Sequence, residues 1–213
     1  MTERIVVVGA GGFGRETLDV IEALIAAGEP LQLVGVIDAG PRDTDLVQLS
    51  ARQIPYLGTE AEWLPRAAGD ERYIVAVGAP TVRRRVVARF SGAGLRAATA
   101  IHPAAVIGSQ ARIGDGVVIA GGVQVSTNVA IGDHVHLNPA SVIGHDAVLS
   151  DFVSVNPGAI VSGNVTVGTG VLLGAGSVVL QGLTVGSGAI VGAAACVTKD
   201  VPSGQTVKGI PAR

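Results

Sequence analysis

In SVIGHDAVLSDF, residues 141–152, a histidine, His145, is followed directly by an acid, Asp146, among residues that are otherwise apolar or small. Imidazole takes up and returns a proton near neutral pH. A carboxylate beside it can hold the second ring nitrogen, which fixes the tautomer and raises the basicity. On residue types alone, a general base with its orienting acid and a solvated surface histidine stand about level. His134 and His136 lie nearby and raise a zinc site, but neighbouring outward positions of one strand do not converge on His145 within one chain, so no metal is expected.

A second stretch with chemical content is GAGGFG, residues 9–14. It follows the strand-like RIVVVGA and opens the helix-like GRETLDVIEALIAAG, and Asp38 ends the next strand-like run, LQLVGVID. The spacing satisfies the G-x-G-x-x-G pattern of dinucleotide folds, with an acid about where a ribose would be held. Against that reading, the segment is short for a full doubly wound domain and shows no hydride-transfer machinery. The reading common to both alternatives is a phosphate held by backbone N–H groups at a helix N-terminus.

The elements that position these residues fall into two parts. Residues 1–98 continue with the strand-like YIVAVG (73–78) and the helix-like TVRRRVVARFSGAG. Strands alternating with helices predict a small Rossmann-like parallel α/β domain. In residues 99–213 the pattern changes: every sixth residue from Ile101 to Val197 is aliphatic, without a miss. A small or aliphatic residue stands four places after each, as at Val117, Ala147 and Ser177. Gly or Asn often stands three places after, as at Gly116, Asn128, Gly158 and Asn164. A hexapeptide period predicts a parallel β-helix, with residues three repeats apart stacked on one another. Ile143, Val161 and Val179 then point inward on one face, while His145 sits on a corner with Gly163 one coil further on.

Composition bounds the function. Thirty-one glycines and 3% aromatic residues suit tight, repeated turns better than a conventional core. A formal charge of −2 gives no case for a nucleic-acid partner. Cys196 is the lone cysteine, which excludes an internal disulfide and suits a reducing compartment. The start of the chain does not read as a signal peptide, and Gly and Asp break the longest apolar runs. The expectation is therefore a cytoplasmic protein without membrane insertion.

Taken together, VVVGAGGFGRE, VGVID, VAVG, IHPAAVIG, NPASVIGHD and VKGIPAR resemble the hexapeptide-repeat acyltransferases, and more narrowly the sugar acyltransferases of the PglD/NeuD type, along nearly the whole chain. The resemblance implies a left-handed β-helix, a homotrimer and acetyl-CoA as donor. It makes His145 the base that deprotonates the acceptor amine or hydroxyl. Asp146 is its partner where Glu is usual; being one methylene shorter, it is expected to make a longer or water-bridged contact. Asn138 matches a residue near the acceptor group. Gly163, Ala175 and Ala193 match positions whose backbone touches pantetheine. Ser154 stands at a donor-binding position often held by a second histidine, and His136, one coil earlier and expected to face outward, is the expected substitute. Gly11, Gly12, Phe13, Gly14, Arg15 and Asp38, with Gly78 and Arg83 from GAPTVR, form the implied nucleotide site. The resulting expectation is an acetyl-CoA-dependent N-acetyltransferase acting on a nucleotide-linked amino sugar. O-acetylation of a sugar hydroxyl, or a nucleotide-binding trimer with an inactive solenoid, are the alternatives.

Overall fold

The computed structural model describes residues 2–213. The chain divides into two compact units, the first ending at Ala100 and the second spanning Ile101–Arg213.

The first unit runs β1 (Glu3–Val8), α1 (Gly12–Ala26), β2 (Leu31–Ile37), α2 (Asp43–Ala51), α3 (Glu60–Trp63), β3 (Glu71–Val75), α4 (Pro80–Gly92) and β4 (Arg96–Ala97). The strands form one parallel sheet in the order β2-β1-β3-β4. Ile5, Val6, Val7, Val8, Val36, Ile37, Ile74 and Val75 are buried, as continuous apolar runs are when both faces of a parallel sheet are covered. The chain passes from β1 to β2 on one side and then to β3 on the other. Such a reversal opens a crevice at the carboxyl ends of the strands. β3 ends before Val77 and Gly78, so the tail of YIVAVG belongs to the following loop.

The second unit is a left-handed parallel β-helix with no loop inserted into its coils. Two-residue strands stack into three parallel sheets of five, six and seven strands. Val142–Ile143 pairs with Ile160–Val161, and that pair with Val178–Val179. Ile143, Val161 and Val179 are all 0% exposed, as the period predicts. Each coil places one row of aliphatic side chains per sheet on the axis, where it meets the same row of the next coil.

The turns explain the other half of the repeat. Every sixth residue from Gln110 to Ala194 has a positive φ, at values between 55° and 75°. This left-handed conformation carries no steric penalty for Gly and little for Asn or Asp. Hence Gly116, Asn128, Gly158 and Asn164 recur at this position. His134, Ala140 and Phe152 adopt the same conformation, at φ 55°, 59° and 60°. His134 and Phe152 lie one coil apart and stack, with ring centroids 5.2 Å apart.

Candidate active site

His145 and Asp146 occupy the corner between the strands Val142–Ile143 and Val148–Leu149. The backbone of the pair is held from both neighbouring coils. The Asp146 N–H donates to the Thr127 carbonyl at 3.1 Å, and the Asn164 N–H donates to the His145 carbonyl at 2.8 Å. His145 Nδ1 lies 2.7 Å from Asp146 Oδ2, and the two side chains are 59% and 43% exposed. The contact is therefore direct and short, correcting the expectation of a longer or water-bridged one. The left-handed backbone of Asp146 sets adjacent side chains side by side, so the shorter acid reaches.

The hydrogen bond from His145, and next that from Asn128, hold the Asp146 carboxyl below the usual carboxylate range. An ionised carboxylate can only accept, so Nδ1 carries the proton and the Nε2 lone pair is left to act as base. One coil on, a Cβ at Gly163 would lie 2.6 Å from His145 Cε1 and Nε2. The space that glycine leaves is thus taken by the imidazole itself.

Of the positions matched to the donor site, Ala175 and Ala193 are exposed and share the next corner, beyond the sheet that carries Val142–Ile143. Ser154 and His136 pair across adjacent strands but are only 2% and 1% exposed. Asn138 is 7% exposed, and its Nδ2 donates to the Val155 carbonyl at 2.9 Å. These three lie at outward register positions, and the period says nothing about whether such a position is covered. His136 thus keeps its expected outward position but is covered there, and neither Asn138 nor Ser154 has open surface in this chain. Among the described residues, no group of three or more His, Cys, Asp or Glu is placed to hold a metal ion.

In the first unit, the glycines of GAGGFG divide by role. Gly9 has φ +122°, and a Cβ there would lie 2.7 Å from the Ala76 carbonyl oxygen; a Cβ on Gly14 would strike the Gly9 carbonyl oxygen. These two let α1 start close against the sheet. Gly11 and Gly12 have nothing within 4 Å of a built Cβ, and no side chain caps the N-terminus of α1. Its first N–H groups are therefore placed to receive an anion. Phe13 is half-buried beside them.

Asp38 closes this loop: its Oδ2 accepts from the Ala10 N–H at 2.7 Å and its Oδ1 from the Gly40 N–H at 2.9 Å. Asp38 also lines a cavity of about 240 Å³ with Val8, Gly9, Glu60, Val77 and Val86, over the carboxyl ends of β1, β2 and β3. Arg15 is braced by Asp45 Oδ1 at 2.7 Å and the Ala10 carbonyl at 3.1 Å. Gly78 is exposed. Arg83 is not a pocket residue: it is 0% exposed, and its Nη1 donates to the carbonyls of Val77 and Gly78 at 2.8 and 3.2 Å. Burial pulls its pKa down to about 9, which leaves it charged at neutral pH. It shapes the loop from beneath. The family resemblance implied a pocket position for Arg83, and a motif match does not say which way a side chain packs.

A small parallel α/β unit followed by a left-handed β-helix with a corner His–Asp pair fits the class of solenoid acyl-transfer enzymes. The PglD N-terminal domain model matches residues 4–90. The chain is 35% identical over 145 residues to the GDP-perosamine N-acetyltransferase of Escherichia coli O157:H7, a match covering 65% of this chain and 60% of that protein. It superposes with a TM-score of 0.88 on a histidine-to-asparagine variant of perosamine N-acetyltransferase from Caulobacter crescentus in complex with CoA and GDP-perosamine, at 31% identity over 100% of this chain and 97% of the other. The acetyltransferase domain of PglB from Neisseria gonorrhoeae in complex with acetyl coenzyme A matches equally well, with TM-score 0.88 and 31% identity over 100% and 99% of the two chains. The chain belongs to the hexapeptide-repeat sugar acyltransferases of the PglD type.

Proposed function

We propose that this protein transfers an acetyl group from acetyl-CoA to the amine of a nucleotide-linked amino sugar. The observation that carries the reading is the exposed His145–Asp146 pair, with Nδ1 held at 2.7 Å and Nε2 left to act as base. Nε2 takes the proton from the acceptor nitrogen as that nitrogen attacks the thioester carbonyl carbon. The tetrahedral intermediate collapses, the C–S bond breaks, and the CoA sulfur leaves with the proton that Nε2 returns. Backbone N–H groups stabilise the oxyanion. The nucleotide phosphates are received by the N-terminus of α1 at Gly11 and Gly12, and the exposed corner of Ala175 and Ala193 accepts the pantetheine arm. The relatives with GDP-perosamine and acetyl-CoA bound support both substrate classes.

The working form is a homotrimer. A corner exposed as His145 is offers no second wall for a pantetheine arm, and a neighbouring prism supplies one. The reading places the enzyme in the reducing cytoplasm, in keeping with Cys196 as its lone cysteine. No helix among the described residues is long and apolar enough to cross a membrane.

The test mixes the protein with acetyl-CoA and a panel of GDP-, UDP- and dTDP-linked amino sugars, each beside its hydroxy-sugar counterpart, and follows free thiol. Release with an amino sugar, lost in His145→Ala, is the expected result. Release with hydroxy sugars alone assigns O-acetylation. Silence across the panel, or an undiminished His145→Ala enzyme, overturns the reading.

A further inference from the structure

The hydrogen bonds at the corner extend beyond the catalytic pair. Asn128 lies one coil before Asp146, in the same column of left-handed turn residues, with φ 61°. Its Nδ2 donates to Asp146 Oδ1 at 3.0 Å, while Asp146 Oδ2 meets His145 Nδ1 at 2.7 Å. Both oxygens of the acid are therefore specified, one by each neighbour. The carboxylate can only accept, so the Asn128 amide must turn its NH₂ toward it, and its orientation follows from chemistry. The backbone alone does not require this residue. Column mates of Asn128 include Gly182, and glycine fills the left-handed position without strain. What Asn128 adds over glycine is the amide donor.

The geometry assigns Asn128 as a positioning residue of the acyl-transfer site: it locks the Asp146 carboxylate in the rotamer that holds the His145 ring in its Nδ1–H tautomer. This rests on His145 being the base. Without Asn128, a 43%-exposed carboxylate is free to rotate toward water, and the ring loses the partner that keeps the Nε2 lone pair available.

The test uses Asn128→Gly, which keeps the left-handed turn and deletes only the amide. The expected result is a kcat lower by roughly five- to twentyfold, the worth of a partly exposed hydrogen bond to a charged group. KM for both substrates should stay within about twofold, since no substrate contact is removed. In an Asp146→Gly background the same change should cost less than about twofold, because residues that act through one another are not additive. Asn128→Gln is the shape control and should not recover the wild-type rate, since its longer amide overshoots Oδ1. A second readout does not depend on turnover: long-range ¹H–¹⁵N spectra of ¹⁵N-histidine protein, with His145 assigned by His145→Ala, report the tautomer. Wild type should show Nδ1–H at His145, and Asn128→Gly should shift it toward Nε2–H. Wild-type turnover for Asn128→Gly, an equal loss in the Asp146→Gly background, or an unchanged tautomer each overturns the assignment. Absence of turnover in the wild type sinks the proposed function instead, and the tautomer shift then decides the role of Asn128 by itself.

Discussion

At the scale of the residue, the site depends on one ring held by one short acid. His145→Ala should lower kcat by about 10²–10⁴, the usual worth of general base catalysis, with little change in acetyl-CoA binding measured by calorimetry. Asp146→Asn should cost less, since the acid orients and polarises the ring without touching substrate. Asp146 is held below the usual carboxylate range and stays ionised at neutral pH. Removing its charge destabilises the imidazolium, so the acid limb of the kcat/KM profile should move to lower pH. An acid limb moving upward would contradict the ion-pair geometry. Gly163→Ala is a sharper probe: its Cβ would lie 2.6 Å from His145 Cε1 and Nε2, so the ring must swing aside. Activity should fall more than about tenfold, by loss of base positioning, while the thermal midpoint hardly moves.

At the scale of the element, the solenoid turn and the glycine loop make separate demands. Ala140 is exposed and held at φ 59°, a conformation costing a non-glycine residue about 1–2 kcal/mol, against which stands the greater unfolded-state entropy of glycine. Ala140→Gly should therefore stabilise the protein by roughly 0.5–1 kcal/mol, seen as a thermal midpoint higher by about 1–4 °C. The α1 loop makes the opposite demand. A Cβ on Gly14 would strike the Gly9 carbonyl oxygen, so Gly14→Ala should destabilise by about 1–3 kcal/mol in urea titration and weaken nucleotide binding together with it. Gly12→Ala meets open space and should change stability by less than about 1 kcal/mol. If Gly12→Ala proved the costlier of the two, the assigned loop packing would be wrong.

At the scale of the whole molecule, sedimentation equilibrium should give a trimer, and a stable, fully active monomer would remove the argument for a wall supplied by a second prism. The solenoid and its register were legible in the sequence, its left hand only through the family resemblance. The period from Ile101 to Val197, its inward rows, and the corner position of His145 all follow from a repeat whose neighbours along the axis are its own copies. The parallel α/β alternation was legible too, because apolar runs and helical periods are local. Tertiary structure alone decided which outward positions are covered: His136 and Ser154 share a strand column with solvent-exposed Ile190 and Thr206, and no local signal separates them. It likewise decided that Arg83 lies beneath its loop, and that Asn128 meets Asp146 across a coil boundary. The physical reason is the same in each case. Periodicity states which way a side chain points, whereas burial and hydrogen-bond partners depend on what another part of the chain places in front of it.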